Sequence, residues 1–253
     1  MAITAQHLTF SYGGGRETLS DLNFRIEYGE CVGLIGANGA GKSTLLKLLM
    51  GLLSGYEGDV CVGGLRVEKK NLKEIRRLAG YVFQDSESQL FLSTVYEDVA
   101  FGPRNDGCSK EEVEARVMDA LRQVHMEALK EEQIYRLSGG QKKLASIATI
   151  LSMKPQIILL DEPSGALDPR NRKHLIQIIR NLQGTKVVAS HDLDLILDIC
   201  ERTLLIADGK IVRDGRTEEI LGDEALLVRY GLELPLSVEG RRGFYPLERH
   251  RQE

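Results

Sequence analysis

Eight residues near the start of the chain, Gly36-Ala-Asn-Gly-Ala-Gly-Lys-Ser43, constrain its fold more than any others. They lie between the apolar run Cys31 to Ile35, which predicts a buried strand, and Thr44-Leu-Leu-Lys-Leu-Leu-Met50, which predicts a helix. In a glycine-rich turn from strand to helix, successive backbone N–H groups and the helix N-terminus converge on phosphate oxygens. We expect Lys42 to reach the terminal phosphates of a nucleotide and Ser43 to ligate Mg²⁺. The predicted nucleotide-binding residues of this turn are Gly36, Ala37, Asn38, Gly39, Ala40, Gly41, Lys42, Ser43 and Thr44.

An acidic pair follows another short apolar run. Ile157-Ile-Leu-Leu160 is typical of a buried parallel strand, and Asp161-Glu162 comes directly after it. Active sites of open α/β sheets lie at such strand ends. We therefore expect Asp161 to hold Mg²⁺, directly or through water. We expect Glu162 to act on the attacking water, either as general base or by positioning it. The glycine-rich turn alone leaves kinases, GTPases and motors open, and this acidic pair narrows the choice.

The sequence Leu137-Ser-Gly-Gly-Gln141 lies between these two motifs and resembles the signature of the ATP-binding cassette (ABC) family. On physical grounds, Ser138-Gly-Gly140 opens the apolar-periodic segment Leu144 to Met153, which predicts a second helix N-terminus able to bind phosphate. The resemblance implies an α/β fold with a P-loop NTPase (RecA-like) core, an antiparallel β subdomain and an inserted α-helical lobe. It also implies that two domains pack head to tail, with ATP between the P-loop of one and the signature of the other. The signature residues are Leu137, Ser138, Gly139, Gly140 and Gln141.

Further positions match the family in chain order, and the resemblance covers nearly the whole chain. Tyr12 resembles the aromatic residue that stacks on adenine, Gln84 the glutamine loop, and His191 the switch histidine. The loop at the dimer interface corresponds to Gly165, Ala166, Leu167 and Asp168. With ATP as substrate and Mg²⁺ as cofactor, the implied catalytic residues are Glu162, His191 and Gln84, and the implied metal ligands are Ser43, Gln84 and Asp161.

The segment after the glutamine loop points to a subgroup. Phe83-Gln-Asp-Ser-Glu-Ser-Gln-Leu-Phe91 and Thr94-Val-Tyr-Glu-Asp-Val-Ala-Phe-Gly-Pro103 resemble the energy-coupling-factor ATPases, which energise import of metal ions or vitamins. His191-Asp-Leu-Asp-Leu-Ile-Leu197 and Leu232-Glu-Leu-Pro235 are similar to subunits of cobalt and nickel importers. The implied partners are a second ABC subunit, an integral membrane transmission subunit and a substrate-binding membrane subunit. We favour a homodimer, because one chain carries the residues for two competent sites.

Two alternatives stay open within this resemblance. The first is an ATPase shared among several vitamin importers, because in this subgroup a separate membrane protein binds the solute. The second is a non-transport ABC ATPase, such as a translation or DNA-repair factor, although those usually carry tandem cassettes or a coiled-coil insertion. A kinase or GTPase is not favoured, because the signature is present and an Asn-Lys-x-Asp sequence for reading guanine is absent from the chain.

The composition agrees with a cytosolic subunit, and the resemblance implies a peripheral position on the cytoplasmic face of the cell membrane. The apolar runs are interrupted by charge well before the roughly 20 residues that a membrane helix needs. A net charge of −4 argues against a nucleic-acid partner. The four cysteines are single and widely spaced, which fits buried thiols better than zinc or disulfides.

Periodicity predicts the remaining elements. Strands are expected at Ala2 to Phe10, Leu22 to Ile26, Val60 to Val62, Ala79 to Phe83, Lys186 to Ser190 and Arg202 to Ala207, with a turn at Gly13 to Gly15. Ser109-Lys-Glu-Glu112 predicts a capping box that opens a helix to about His125, and Arg170 to Leu182 carries the apolar stripe of a helix on a sheet. We expect an ABC domain over residues 1–235, with its helical lobe at about 85–153, and a short tail over 236–253.

The lobe also offers a predicted docking surface. Four carboxylates, of Asp85, Glu87, Glu97 and Asp98, are expected around the apolar side chains of Leu90, Phe91, Val95 and Phe101. An apolar groove with an acidic rim suits a basic helix. In the family, coupling helices of the transmission subunit carry arginine, so the resemblance implies that one of them docks here.

Overall fold

A computed structural model describes residues 1–13, 15–165 and 167–240 of the chain. Its strands are β1 (Ile3–Ser11), β2 (Glu17–Ile26), β3 (Cys31–Ile35), β4 (Glu57–Val62), β5 (Leu65–Arg66), β6 (Ala79–Val82), β7 (Ile157–Asp161), β8 (Thr185–Ala189), β9 (Arg202–Ala207) and β10 (Lys210–Arg216). Its helices are α1 (Lys42–Leu49), α2 (Leu72–Leu78), α3 (Val95–Asn105), α4 (Lys110–Gln123), α5 (Gly139–Leu151), α6 (Pro169–Asn181), α7 (Leu193–Ile199), α8 (Thr217–Gly222), α9 (Glu224–Arg229) and α10 (Leu236–Glu239). These elements include all the strands predicted from periodicity.

A mostly parallel sheet forms the core, with the strand order β10-β9-β3-β8-β7-β6. All neighbouring pairs are parallel except β9 with β10, which form a hairpin. Because β3, β8 and β7 are adjacent and parallel, their C-terminal ends lie at one edge of the sheet. The turn Gly36–Gly41, the acidic pair Asp161-Glu162 and His191 therefore come from neighbouring strand ends, as the sequence predicts.

A second sheet is antiparallel, with the order β2-β1-β4-β5. Leu8 and Leu22 on this sheet share one apolar core with Leu46 of α1 and with Leu159 of β7. The helix that follows the glycine-rich turn is therefore held between the two sheets. This packing confirms the antiparallel β subdomain.

The inserted lobe lies between β6 and β7 and contains α3, α4 and α5. Val99, Val117 and Ile147, one from each helix, are fully buried in a core that continues to Leu160 of β7 and Leu175 of α6. The lobe is thus joined to the opposite face of the parallel sheet from the antiparallel subdomain. Buried apolar contact of this extent favours a defined position of the lobe on the core.

The predicted cap at the start of α4 is present, with one difference in its hydrogen bonds. The Glu112 backbone N–H donates to Ser109 Oγ at 3.2 Å, but the Glu112 carboxylate accepts from Arg116 Nη2 at 2.6 Å. The predicted capping box is therefore only half formed, because an i,i+4 ion pair engages the glutamate. The helix ends at Gln123, and His125 follows with a left-handed φ of 56°.

The segment after α9 folds back on the core. The backbone N–H groups of Leu236 and Ser237 donate to the two carboxylate oxygens of Asp194 on α7, at 2.9 and 3.0 Å. Residues 241–253 of the expected tail lie outside the described part of the chain. Among the described helices, none has the length and apolar character to cross a membrane.

Candidate nucleotide site

The glycine-rich turn has the backbone that a phosphate cradle requires. Gly41, just before α1, has a φ of 106°, and an added Cβ there would lie 2.5 Å from Leu19 Cδ2. Only glycine meets both conditions. Lys42 opens α1 and is 7% exposed, and its ammonium donates to Gly36 O at 2.7 Å and to Ala37 O at 3.3 Å. Burial lowers the pKa of Lys42, while the nearby carboxylates of Glu162 and Asp161 raise it.

Asp161 receives hydrogen bonds on both carboxylate oxygens. Ser43 Oγ donates to Oδ1 at 2.9 Å, and the hydroxyl of Tyr81 donates to Oδ2 at 2.7 Å. Asp161 is only 2% exposed and Tyr81 only 4%. Desolvation raises the pKa of Tyr81, so its hydroxyl remains a neutral donor. Gln84 lines the same cavity as Ser43. Hydroxyl, carboxylate and amide oxygens are the hard donors that Mg²⁺ prefers, so these three residue types fit that ion.

Glu162 is held by the segment that follows β8. Its Oε2 accepts from Ser190 Oγ at 3.2 Å, from the His191 backbone N–H at 3.2 Å and from His191 Nδ1 at 2.7 Å. Because an ionised carboxylate can only accept, Nδ1 of His191 carries the proton and Nε2 faces away. Glu162 is 6% exposed and has a left-handed φ of 46°, an uncommon conformation for a residue of this type. Two residues at neighbouring strand ends thus form one hydrogen-bonded pair.

An open cavity of about 500 Å³ brings these groups together. Its wall combines Lys42 and Ser43 with Gln84, Glu162 and His191, and Tyr12 lies at one end. The Tyr12 ring is half-exposed, packs edge to face on Phe10 at 5.0 Å, and pairs through its hydroxyl with Thr44 Oγ1 at 3.1 Å. An aromatic face beside a phosphate cradle suits the base of a nucleotide.

The signature residues do not line this cavity. Ser138 Oγ accepts from the Gln141 backbone N–H at 3.3 Å, and Gln141 Oε1 accepts from the Ser138 N–H at 2.9 Å, which completes a capping box at the start of α5. A Cβ on Gly140 would meet the Asn171 amide at 2.9 Å, so the signature turn packs against the start of α6. Asp168 caps α6 by accepting from the Asn171 N–H at 2.9 Å. In the loop before α6, Gly165 and Leu167 form turns with Glu162 and Ser164, and Ala166 lies outside the described residues.

Residues 19–165 match the family described as ABC transporter. The chain belongs to this family. Curated relatives include a putative ABC transporter ATP-binding protein of Geobacter sulfurreducens, 47% identical over 94% of this chain and 96% of the relative. They also include the energy-coupling factor transporter ATP-binding protein EcfA of Methanocaldococcus jannaschii, 40% identical over 92% of this chain and 85% of the relative. Among solved structures, cbiO1 of Clostridium perfringens, part of the ABC transporter complex cbiONQ, superposes with a TM-score of 0.82 at 30% identity. That match covers 96% of this chain and 99% of cbiO1.

Sequence reasoning missed three residues that support the site of this ABC ATPase. Tyr81 and Ser190 hold the two carboxylates, as described above. Lys143 of α5 is 3% exposed and donates to the carbonyl oxygens of Phe83 at 2.9 Å and Gln84 at 2.7 Å, and burial lowers its pKa to about 8. The signature helix is therefore bonded directly to the glutamine loop. A buried tyrosine or lysine needs a polar partner, but nothing in the sequence identifies which one.

The predicted acidic rim of the docking surface needs a correction. Asp98 is 3% exposed, and its Oδ1 accepts the backbone N–H groups of Phe91 and Leu92 at 3.2 Å each. It is thus a buried support of the loop before α3, and burial raises its pKa. Val95 and Leu90 are buried too, so the exposed apolar surface consists of Phe91 and Phe101, whose rings pack edge to face at 4.9 Å. Glu87 pairs with Lys142 of α5.

Proposed function

We propose that this chain is the ATP-hydrolysing subunit of an importer of the energy-coupling-factor type, and that the importer carries cobalt or nickel ions. The observation that carries the proposal is the convergence of four side chains, those of Lys42, Ser43, Glu162 and His191, on one cavity, with Asp161 bonded to Ser43 behind its wall. The chain that holds this cavity is similar to EcfA and to cbiO1 over nearly its full length. The likeness of residues 83–91 and 94–103 to energy-coupling-factor ATPases supports the subgroup.

Each residue of the cavity has a distinct role in hydrolysis. Lys42 leaves its two carbonyl partners and binds the terminal phosphates, which the turn Gly36–Gly41 surrounds with N–H groups. Ser43, Asp161 and Gln84 would hold Mg²⁺, which would neutralise charge on the phosphates of ATP. Glu162 accepts a proton from the attacking water, and His191 orients the Glu162 carboxylate while its exposed edge faces the phosphate side.

The functional unit is a dimer, because the signature of each chain lies outside its own nucleotide cavity. ATP binds between the P-loop of one subunit and the signature of the other, and its binding closes the pair. Hydrolysis then allows the pair to reopen. A homodimer is sufficient, since one chain carries both halves of each site.

The membrane partners dock on the lobe, at the cytoplasmic face of the membrane. Phe91 and Phe101 are 63% and 42% exposed, and Glu97 lies in the first turn of α3 beside them. Two adjacent exposed aromatic rings on one surface favour an apolar contact with a partner. An amphipathic helix of the transmission subunit with a basic residue near its apolar face fits this surface.

The decisive experiment is purification of the native complex from membranes, followed by reconstitution into liposomes. Co²⁺ or Ni²⁺ should stimulate ATP turnover and should enter the vesicles. The double variant Phe91→Ser, Phe101→Ser should lose the membrane partners but retain nucleotide binding. Val228→Ser removes a 65% exposed apolar side chain from α9 and is the matched control.

Other outcomes of the purification would redirect the proposal. Recovery with several vitamin-binding membrane proteins, without stimulation by either metal, would identify an ATPase shared among vitamin importers. Recovery with ribosomes or DNA alone would overturn the transport function altogether.

A further inference from the structure

Two cysteines that are 169 positions apart in sequence lie side by side in the fold. Cys31 is the first residue of β3, and Cys200 directly follows α7. Their Sγ atoms are 3.6 Å apart. The other two cysteines, Cys61 and Cys108, are on β4 and next to the start of α4.

The backbones on either side of this pair are fixed by the parallel sheet. Val32 of β3 is in register with Arg202 of β9, so Cys31 and Cys200 lie one and two residues before paired positions on adjacent strands. Adjacent strands are about 4.8 Å apart, which is within the range of Cα separations that a disulfide spans. Bond formation requires the sulfur atoms to approach to about 2.0 Å. Because the sulfur atoms are already 3.6 Å apart, we expect side-chain rotation to bring them within bonding distance.

The pair is reachable from solvent and its two thiols differ. Both sulfur-bearing residues line an open cavity of about 710 Å³, which also contains Lys186 and Arg180. The hydrogen bond from Cys200 lowers the pKa of the Cys31 thiol, and the Lys186 ammonium acts in the same direction. The same hydrogen bond and deeper burial raise the pKa of Cys200. Cys31 is also the more exposed of the two, so it is the thiol that reacts first.

We propose that Cys31 and Cys200 form a thiol–disulfide exchange site, independent of the nucleotide site and of the transported solute. The Cys31 thiolate attacks one sulfur of a low-molecular-weight disulfide, forms a mixed disulfide and releases one thiolate, which takes up a proton. Cys200 then loses its proton to solvent and attacks Cys31 Sγ, which releases the second small thiol. Two cysteines are oxidised by two electrons, and the small disulfide is reduced to two thiols.

The new bond would attach α7 to β3. The two elements already pack closely, because a Cβ on Gly33 of β3 would lie 2.6 Å from Ile196 Cγ2 of α7. The helix α7 begins two residues after His191, and β3 leads into the turn Gly36–Gly41. A covalent link therefore fixes the helix behind the switch histidine on the strand behind the phosphate cradle. The link also closes a long loop, so we expect the melting temperature to rise by about 5 °C or more.

The test uses the full-length protein incubated in oxidised glutathione under native conditions, then alkylated and analysed by intact mass and peptide mapping. We expect one intramolecular bond between Cys31 and Cys200, alkylation of Cys61 and Cys108, and full reversal of the melting shift by dithiothreitol. Cys200→Ser should instead accumulate a stable glutathione adduct on Cys31. Cys61→Ser should form the internal bond as the wild-type protein does.

Two outcomes would overturn the proposal. One is that all four thiols remain alkylatable after a treatment that oxidises a reference dithiol protein. The other is that Cys61 or Cys108 forms adducts as fast as Cys31, which would show that the pair has no special reactivity. Neither outcome depends on whether the chain is an importer subunit, so failure here is distinguishable from failure of the proposed function.

Discussion

Two helix N-termini in the described part of the chain, those of α1 and α5, are suited to phosphate, and their first residues differ in how they are capped. At α1 the preceding residue is a left-handed glycine with no side-chain cap, and the first helical residue is the buried Lys42. At α5 the preceding residue is Ser138, whose side chain closes a capping box with Gln141. The first terminus opens into a cavity that Glu162 and His191 also line, and the second does not.

The difference between the two helix ends predicts different roles for them in the proposed dimer. The P-loop end has Lys42 and the proposed metal ligands and general base within one chain, so a single subunit is expected to bind ATP. At the signature end, the capping box pairs the backbone N–H groups of Ser138 and Gln141 within the chain. In the proposed dimer, a phosphate bound by the partner subunit would compete for this helix end. In the proposed dimer, ATP binding is therefore expected to need one subunit and hydrolysis to need two.

Of the substitutions that test the difference between the two helix ends, Lys42→Ala should have the largest effect on ATP affinity and turnover. Without the ammonium, the cradle loses its charge-assisted bonds to the terminal phosphates, so ATP affinity and turnover should together fall about 1,000-fold. Nucleotide titration and steady-state turnover measure both. Lys47→Ala, on the same helix, is the control and should change neither. Tight ATP binding by the Lys42 variant would mean that the P-loop end does not depend on this cation.

Glu162→Gln should separate binding from hydrolysis. The amide keeps the size of the side chain but cannot accept a proton, so turnover should fall by roughly several hundred-fold while ATP affinity is retained. An ATP-bound dimer should then accumulate, which light scattering or size-exclusion chromatography detects. Glu219→Gln on α8 is the surface control. Full turnover in the glutamine variant would remove Glu162 from the role of general base.

Much of this arrangement could be predicted from the sequence because its causes are local. The turn before Lys42 needs its glycines for backbone reasons that the residues themselves reveal, and Asp161 and Glu162 follow a strand that periodicity identifies. Adjacent parallel strands then bring these ends together without further information. The helix start at Ser138 was also predicted from the residues themselves, whereas its capping box with Gln141 was not.

The remaining features depend on contacts between distant positions. Tyr81 reaches Asp161 across 80 positions of sequence, and the signature-helix residue Lys143 reaches the carbonyl of Gln84 across 59. The sequence pattern predicts that Asp98 is exposed at the rim of the docking surface. In the structure, the loop before α3 folds over Asp98 and buries it. No periodicity or motif reports such pairings in a single sequence, because they are fixed only when β6, α3 and α5 pack together.

Gly139→Asp tests the other helix end. A Cβ at this position would meet no atom within 4 Å, and an acidic residue in the first turn of a helix favours folding. The added charge would face the terminal phosphate bound by a partner, so turnover should fall about 100-fold while ATP affinity of the single subunit is unchanged. Gly139→Ala is the neutral control.

Mixing this variant with Lys42→Ala sharpens the same test. In a head-to-tail dimer of the two variants, one site carries both changes and the other carries neither, so part of the activity should return. No recovery on mixing, with heterodimers verified by tagged purification, would contradict a site shared between subunits.

Tyr81→Phe should have a smaller and more specific effect. The change removes the hydroxyl from Oδ2 of Asp161 and leaves the carboxylate free to turn, so half-maximal ATPase activity should require about ten-fold more Mg²⁺. Tyr56→Phe is the matched control. It removes a partly buried hydroxyl that donates to Val67 O at 2.6 Å in the antiparallel subdomain. If both variants merely lower the melting temperature and the Mg²⁺ requirement stays constant, Tyr81 is a structural residue only.

His174→Gln should have the smallest effect, a change in how the free energy of unfolding depends on pH. It tests the contact between the helical lobe, which carries the signature, and the core, which carries the P-loop. The rings of His125, after α4, and His174, on α6, stack at 5.1 Å across this junction. Burial lowers the pKa of His174 below its usual 6.5, and the neighbouring His125 and Arg170 contribute.

A lowered pKa means that the unfolded chain binds more protons, so this group adds stability above pH 6.5 that is lost as the pH falls through its folded-state pKa. Because solvent screens the partly exposed pair, the wild-type protein should lose only about 0.5 kcal/mol more than His174→Gln between pH 7.5 and 5.5. Urea unfolding at the two pH values measures the difference, and equal losses in the two proteins would show that the stacked pair does not couple the lobe position to pH.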